Sequence, residues 1–350
     1  AIIEFLRINP QIKVSCAIIN FSQKGSVSAR AKVSDIQDKS GVVVSVDYHY
    51  IADSKFDLGL MLESTKKEVN LAFIANPDKH HFESTKTCLS AGYHCLVVKP
   101  LTPYLSEARE LATIAKAQNA LTRVEFHKRW DIANVLLKDS FERGDIGPLS
   151  YVLVEYSQRK TIPVVSFNAW IDQTNIFQYL AVHYIDLVYF ITGYMPVRVS
   201  AIGIDGYLRD VQIETYDSVL ANIIWSNGNH EFCQSISCNW IDPSQTSAMS
   251  DQKIKLIGWR GRIESEQKDR GFTRTLDDTG IEAVNPYFSI NTKTSSGELT
   301  WSGYGIDSVC QFLIDAVDFC IKSKPLEAVQ FGKPSFDQGL VSVAVVEAAN

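Results

Sequence analysis

Short apolar segments alternate with helical segments through the first 130 residues, and this alternation restricts the possible folds more than any other feature. The apolar segments have the length and β-branched content of buried strands, and the helical segments carry apolar residues at 3.6-residue spacing. Such an order predicts a parallel sheet covered by helices on both faces, the doubly wound α/β class. We predict strands over residues 12–19, 42–46, 69–75, 94–99 and 121–126, and helices over 79–91, with Asp78 as N-cap, and 104–119.

The pattern changes after about residue 130. Long strands then follow one another without intervening helices, which predicts a mostly antiparallel open sheet in an α+β domain. We therefore expect a Rossmann-like α/β domain of the nucleotide-binding type at 1–130, and an α+β domain at 131–350. We also predict helices over residues 131–143, 304–321 and 337–349, and a polar loop over 292–303.

The composition excludes several classes of protein. Of the 350 residues, 45% are hydrophobic and 21% charged, which is typical of a globular protein. The net charge is −6 and the 34 Lys and Arg are scattered, so we expect neither nucleic acid nor an anionic membrane as partner. No run of 18 apolar residues and no signal peptide occurs, which predicts a cytoplasmic location. The seven cysteines form no C-x-x-C pair, so we predict no metal site and no disulfide framework.

Residues 177–193 predict a helix that is apolar on nearly every face and therefore buried. Tyr179, His183 and Asp186 follow the spacing i, i+4, i+7, which places a phenol, an imidazole and a carboxylate along one edge. Leaving such groups unpaired in a core costs roughly 2 to 7 kcal/mol each, so they must have partners or take part in chemistry. From this segment alone, a hydrogen-bonded core histidine and a catalytic histidine are equally good interpretations.

The chain begins at Ala1 within an apparent helix, so we expect an upstream strand and the glycine-rich phosphate turn of a Rossmann fold to be missing from this sequence. The end of the strand that follows is where such a domain holds the adenosine ribose. Asn20, Ser22 and Lys24 occupy that position without a carboxylate, which slightly favours NADP over NAD.

Several segments resemble the glucose-fructose oxidoreductase and inositol dehydrogenase family (Gfo/Idh/MocA). The family's A-T-P-x-x-x-H is similar to residues 75–81, and its E-K-P to residues 98–100. Its G-F-x-R-R-F-D resembles residues 125–131, and its D-x-x-x-H-x-x-D resembles residues 179–186. Carried over by position, the resemblance implies that NAD or NADP contacts Ala75, Asn76, Pro77, His81, Lys99, Pro100 and His127.

The resemblance implies an NAD(P)-dependent oxidoreductase of a sugar, cyclitol or nucleotide-sugar hydroxyl. Oxidation of an alcohol requires a base for the hydroxyl proton and positive charge near the oxygen. Lys99 matches the family's catalytic lysine and His183 its general acid/base. We expect Asp186, one turn beyond, to orient the ring of His183.

Two positions depart from the family pattern. The family's Glu before the lysine is Val98, and the family's Asp four residues before the histidine is Tyr179. Tyr179 can still donate a hydrogen bond or a proton. A reductase or dehydrogenase of sugars or nucleotide sugars therefore fits better than a strict inositol dehydrogenase. A cyclitol dehydrogenase and a non-catalytic dinucleotide sensor are the alternatives.

Further candidates surround these residues. His127 and Arg129 follow the fifth strand, where they can face nicotinamide and substrate or simply begin a solvated helix. Trp170 aligns loosely with an active-site tryptophan of the family and is an equally good core residue. We count Lys99, Arg129, Trp170 and His183 as candidate substrate contacts. The open sheet of the second domain predicts a homodimer or homotetramer.

Overall fold

The computed structural model describes residues 1–20, 23–50 and 58–350 of the chain. Its first part is built on parallel strands joined by helices, as the alternating pattern predicts. Strands β1 (Ser15–Asn20) and β2 (Ser45–Tyr50) form one pair, while β3 (Leu71–Ile74), β4 (His94–Val98) and β5 (Thr122–Glu125) form a three-stranded sheet in the order β3-β4-β5. The helices of this part are α1 (Ile2–Ile8), α2 (Gln23–Ser40), α3 (Leu58–Thr65), α4 (His81–Ser90), α5 (Leu105–Ala117) and α6 (Ile132–Glu142).

The core of the first part forms between β4 and its covering helices. Cys95, Leu96 and Val97 are almost completely buried because a central parallel strand is covered on both faces. Helix α5 buries Ala108 and Leu111 along the stripe that the sequence predicts. Among the described residues, no helix has the length and apolarity needed to cross a lipid bilayer.

The second part is dominated by a six-stranded sheet in the order β11-β10-β6-β9-β8-β7. All neighbouring strands are antiparallel except β6 and β9, which are parallel. The one-sided alternation of burial along β6 and β9 shows that one face of the sheet covers the core. The strands are β6 (Leu149–Arg159), β7 (Met195–Ile204), β8 (Ser218–Ser226), β9 (Glu231–Asp242), β10 (Ser250–Gly258) and β11 (Arg262–Glu266).

Residues 177–192 form the buried helical segment that the sequence predicts, but it is not one regular α-helix. Phe177–Ala181 is a π-helical turn, and α7 begins after it and spans Val182–Thr192. Gly193 ends the helix in the left-handed conformation, at φ 68°. Leu180, Tyr184 and Leu187 are at most 1% exposed, so the segment lies at the centre of the largest hydrophobic core.

The prediction of a polar loop at 292–303 is wrong. The hairpin of β14 (Ile290–Lys293) and β15 (Leu299–Ser302) occupies this region, and a second hairpin, β12 (Phe272–Leu276) with β13 (Gly280–Val284), precedes it. No side chain of the four strands is buried, so both hairpins lack the apolar alternation by which strands are detected. The short helix α8 (Tyr207–Asp210) lies further upstream.

The closing helices return to the first part of the molecule. They are α9 (Tyr304–Ala316), a π-helical turn (Val317–Ile321), α10 (Leu326–Gln330) and α11 (Phe336–Ala349). Helix α11 passes so close to β5 that a Cβ on Gly339 would lie 2.8 Å from Val124 Cγ2. The two parts therefore share a core, and the boundary at residue 130 stays a prediction.

Candidate active site

The carboxyl ends of β3, β4 and β5 bring the predicted site residues to one edge of the sheet. The three strands are parallel and in register, Ile74 opposite Val97 and Val98 opposite Glu125. In a doubly wound sheet this edge is where ligands bind. The segments that leave the three strands here begin at Ala75, Lys99 and Phe126.

His81 joins the ends of β3 and β4. Its fully buried ring lies with Nδ1 2.8 Å from the carbonyl oxygen of Pro100 and Nε2 2.9 Å from that of Asn76. The Asn76 side chain donates through Nδ2 to Ser84 Oγ at 2.8 Å, but its buried Oδ1 has no partner among the described residues. An unpaired buried acceptor next to Pro77 is what a hydrogen-bonding ligand would satisfy. The strand ends therefore fit the cofactor implied by the family.

Lys99 is the cation of the site. Its half-buried side chain donates from Nζ to the carbonyl oxygen of Tyr179 at 2.6 Å, and Nζ lies 3.5 Å from the centroid of the Tyr179 ring. Burial lowers the pKa of Lys99 to about 8, although Asp78 and Glu125 act in the opposite direction. The ammonium group is thus held close to a pH at which it can release its proton.

Asp78 has a different role from the N-cap that the sequence predicts. Its carboxylate makes no side-chain cap, and instead accepts hydrogen bonds from Gln178 Nε2 at 2.8 Å and Thr174 Oγ1 at 3.3 Å. These donors precede α7, so the acid is fixed between the two parts of the molecule. Its charge raises the pKa of Lys99, and it contributes, after burial, to raising the pKa of Tyr179 to about 12.

His183 is placed beside Lys99 as the sequence predicts, but without an acidic partner. The ring is 4% exposed and its Nδ1 is buried with no hydrogen-bond partner among the described residues. Burial, followed by the charges of Lys99, His127 and Lys128, holds the pKa of His183 well below its ordinary value. The neutral imidazole is therefore the favoured form near neutral pH.

Asp186 does not orient His183, which corrects the sequence-based expectation. Both of its oxygens accept from Arg129, Nε to Oδ2 at 2.9 Å and Nη2 to Oδ1 at 2.6 Å. The third Arg129 nitrogen, Nη1, donates to Gln338 Oε1 at 2.6 Å, and Arg129 is 5% exposed. Arg129 therefore joins the loop after β5 to α7 and α11. With its nitrogens used in this way, it is not a free group for substrate, contrary to the prediction.

Glu125 and His127 form a second acid–base group that the sequence analysis missed in part. Glu125 Oε2 lies 2.8 Å from His127 Nδ1, and Glu125 Oε1 accepts from Ser308 Oγ at 2.6 Å. Burial raises the pKa of Glu125, but His127, Ser308 and Lys99 outweigh it and hold the pKa below its ordinary value. The His127 ring lies 4.9 Å from the His183 ring between centroids. The sequence contained one signal for this pair. Glu125 and His127 are two positions apart at the end of a strand, and this spacing places two side chains on one face of a strand.

The carboxylate that the family pattern places at Val98 is thus present on the neighbouring strand. Glu125 is the residue opposite Val98 in the β4–β5 register, and its charge acts on Lys99. On the other side, Tyr179 replaces the family's Asp, and Asp78 supplies the nearby negative charge. Lys99 therefore has two acids nearby, although neither stands at the family's position.

An aromatic wall lies next to Lys99. Tyr179 contacts Phe167, Trp170 and Trp240, with ring centroids 4.9, 6.0 and 5.9 Å away. Trp170 is partly exposed at this wall, so it keeps its place as a predicted substrate contact. An apolar ring face beside polar groups is a common surface for a sugar ring.

Three of the predicted cofactor contacts cannot be placed. Ser22 and the side chains of Asn20 and Lys24 lie outside the described residues. No cluster of three or more potential metal ligands occurs within the described ranges.

This arrangement defines a class of protein. In it a Rossmann-type domain is joined to an antiparallel sheet domain, and a lysine and two histidines lie where the two meet. The model of the Gfo/Idh/MocA oxidoreductase family, described as an NAD-binding Rossmann fold, matches residues 20–126. The fold also matches scyllo-inositol dehydrogenase from Lactobacillus casei, solved with NAD(H) and scyllo-inositol, at a TM-score of 0.68 and 14% identity, over 97% of this chain and 96% of that one. The N-terminal part of the chain, residues 20–126, is thus similar to the NAD-binding domain of this family.

Similar sequences are found among curated proteins. The uncharacterized oxidoreductase YdgJ of Escherichia coli (strain K12) is 32% identical over 136 residues, 38% of this chain and 38% of that protein. UDP-N-acetylglucosamine 3-dehydrogenase of Acidithiobacillus ferrooxidans is 28% identical over 137 residues, 39% of this chain and 40% of that enzyme. The match thus spans about two fifths of the length of these relatives.

Proposed function

We propose that the chain is an NAD(P)-dependent oxidoreductase acting on a CH–OH group of a sugar or nucleotide sugar. The observation that carries this proposal is Lys99, which lies at the carboxyl edge of the parallel sheet with a pKa lowered to about 8. Its neighbours are the neutral imidazole of His183 and the aromatic wall at Tyr179. This combination supplies a cation, a proton-accepting nitrogen and a surface for a sugar ring.

The residues at the strand ends are the proposed contacts of the cofactor. Asn76, Pro77, Pro100 and His127 follow β3, β4 and β5, where NAD(P) binds in folds of this class. His81, predicted as a further contact, is fully buried with both ring nitrogens bonded to carbonyl oxygens, so it holds the strand ends together instead. Bound NAD(P)⁺ would accept the hydride of the carbinol carbon. The chain's own groups then have the two remaining tasks, stabilising charge on the oxygen and accepting its proton.

Lys99 and His183 are the proposed groups at the substrate oxygen. The Lys99 ammonium, donating already to the carbonyl of Tyr179, has further protons with which to bind the hydroxyl and stabilise the developing alkoxide. His183, neutral and with Nδ1 unpaired, can form a hydrogen bond with the hydroxyl group. Tyr179 contacts Lys99 through its carbonyl and ring face, so its proposed role is to position the lysine.

Binding and turnover assays test this function. The full chain is titrated with NADH and NADPH while nicotinamide fluorescence is followed, and then assayed at the nicotinamide absorbance with sugars, UDP-sugars and inositols. We expect binding of at least one nucleotide and turnover of a sugar or UDP-sugar. Turnover of inositols alone would favour the cyclitol alternative, and nucleotide binding without any turnover would favour a sensor.

We also propose a homo-oligomer that forms through the outer face of the large sheet. Leu153, Ile202 and Leu220 are exposed on this face, at 42, 63 and 50%. A sheet face with several exposed apolar residues is typical of an interface. Light scattering after size exclusion should give a dimer or tetramer, and Leu153→Lys should dissociate it. Ile281→Lys, on the β12–β13 hairpin, is the matched control. A monomeric wild type would contradict the proposal.

A further inference from the structure

Three groups of ionisable side chains surround the loop that follows β5, and they differ in whether their hydrogen-bonding atoms are used. Lys128 donates to the side chains of Gln252 and Gln267, and Asp131 accepts from Arg270 and Gln267. Arg129 is paired with Asp186 in the same way. Only the Glu125–His127 group combines a carboxylate with a ring nitrogen that has no partner among the described residues.

The tautomer of His127 follows from its contacts. Glu125 is ionised near neutral pH because its pKa is held below the ordinary value. A carboxylate can only accept, so His127 Nδ1, 2.8 Å from Oε2, carries a hydrogen and donates it. In the neutral ring, the proton-free nitrogen is then Nε2. This is the arrangement by which an acid orients a histidine as a general base.

The ring of His127 lies beside the proposed reaction site, next to the ring of His183. His127 lies between His183, at 4.9 Å between centroids, and the rings of Phe288 and Tyr304, at 5.2 and 5.7 Å. The near-parallel stacking on Tyr304, at 21°, fixes the ring plane from one side. Ser308 fixes the carboxylate from the other side. The ring is 18% exposed at its side chain, so a ligand can reach it.

His183 lacks these features. Among the described residues it has no carboxylate partner and its Nδ1 is unpaired, and burial, followed by the charges of Lys99, His127 and Lys128, holds its pKa well below the ordinary value. The neutral imidazole is therefore the favoured form of His183.

We propose that His127, oriented by Glu125, is the base that retains the proton of the substrate hydroxyl, with neutral His183 as its hydrogen-bonding neighbour. In the oxidative direction the O–H bond breaks and an N–H bond forms at His127 Nε2. The O–H electron pair becomes the second C–O bond, while the hydride leaves the carbon with its electron pair for the oxidised nicotinamide. The inference rests on the proposed function and assigns the proton acceptor within it.

The charged and titratable groups that face the pair come from four elements. They are Lys99 after β4, His183 on α7, Tyr304 on α9, and Lys128 on the same loop. The charge of Lys99 contributes to the lowered pKa of Glu125, which stays ionised as the acceptor of the hydrogen bond from His127.

The first experiment determines the tautomer of His127 without substrate. The full chain is labelled with ¹⁵N at its histidines, and the His127 resonances are assigned by NMR from their loss in His127→Gln. We expect the wild-type ring to carry its hydrogen on Nδ1, and Glu125→Gln to reduce the share of this tautomer, because an amide that can also donate replaces a carboxylate that can only accept. The same change at Glu110, an exposed residue paired with Lys86, should leave the tautomer unchanged. An unchanged tautomer in Glu125→Gln would overturn the pairing.

The second experiment measures the pH profile of kcat/KM with the substrate that the panel identifies. His127→Gln should lower kcat about 10²- to 10⁴-fold and abolish the ascending limb, while NAD(P) still binds. Glu125→Gln should lower kcat less than His127→Gln does, because the ring loses its orienting carboxylate, and Ser308→Ala should lower it by less again. His80→Gln, at an exposed histidine, is the matched control. A limb that survives in His127→Gln and disappears in His183→Gln would overturn the proposal.

The two experiments separate the two proposals. A wild type without turnover on any hydroxyl compound contradicts the proposed function, and the NMR spectra then decide independently whether Glu125 sets the tautomer of His127. Ser308→Ala keeps the spectra informative if Glu125→Gln does not fold, because it removes a hydrogen bond to the same carboxylate without removing the charge.

Discussion

Residues 125–131 contribute to two neighbouring ionic clusters that differ in one respect. In the first cluster, Lys128, Arg129 and Asp131 are at most 5% exposed, and every charged group is bonded to a fixed partner on another element. In the second cluster, Lys99, His127 and His183 have hydrogen-bonding atoms without a protein partner among the described residues.

One short loop therefore carries residues that stabilise the fold and residues that are available for chemistry. A buried charge with all of its bonds satisfied has nothing left for a ligand, and removing its partner is strongly destabilising. A group with unused donors or acceptors costs stability but can bind a reacting atom. We therefore expect substitutions in the first cluster to change the free energy of unfolding, and those in the second to change turnover.

The largest effect is expected from Asp186→Ala, which leaves Arg129 buried without its anion. The free energy of unfolding should fall by about 3 to 5 kcal/mol, as measured by denaturant titration. The ascending limb of the pH profile should be retained in the folded fraction. Asp145→Ala, at an exposed ion pair with Arg143, is the control and should have little effect. An undiminished stability of Asp186→Ala would remove the distinction between the clusters.

Lys99→Met should lower turnover without lowering stability, the opposite of Asp186→Ala. We expect kcat to fall about 10²- to 10³-fold because the positive charge at the developing alkoxide is lost. The melting temperature should stay the same or rise, since the ammonium is partly desolvated in the fold. Lys86→Met, at an exposed lysine, should change neither quantity. Normal turnover by Lys99→Met would show that the second cluster is not the reaction site.

The pH dependence of turnover tests the role of Lys99 as a cation. A lysine is cationic below its pKa, so turnover should decline as pH rises through about 8. Asp78→Asn removes a charge that raises this pKa, and the descending limb should therefore move to lower pH. The measurement is kcat against pH for both proteins. A limb that stays in place would mean that Asp78 only fixes Gln178 and Thr174.

The smallest effect is expected from Tyr179→Phe. Lys99 contacts the carbonyl and the ring face of Tyr179, and both remain in phenylalanine. We expect kcat to change less than about threefold. A large loss of kcat with unchanged nucleotide binding would instead assign a proton-transferring role to the phenol.

The sequence was sufficient for the features that depend on local periodicity. The strands β3 to β5, the buried helical segment at 177–192 and the position of Lys99 at a strand end follow from patterns within a few residues. Partners far apart in the chain could not be found in this way. Arg129 and Asp186 are 57 positions apart, and Glu125 and Ser308 are 183 apart. The hairpins between 272 and 302 were missed because solvent-facing strands have no apolar alternation.

The β4–β5 register has a consequence for how such chains are compared with one another. Val98 on β4 is paired with Glu125 on the adjacent strand β5, so a carboxylate at either position occupies nearly the same region of space. A search that reads the motif before Lys99 as a fixed string of letters would classify this chain as an inactivated relative. A comparison of positions across neighbouring strands would instead group it with proteins that keep an acid beside the lysine.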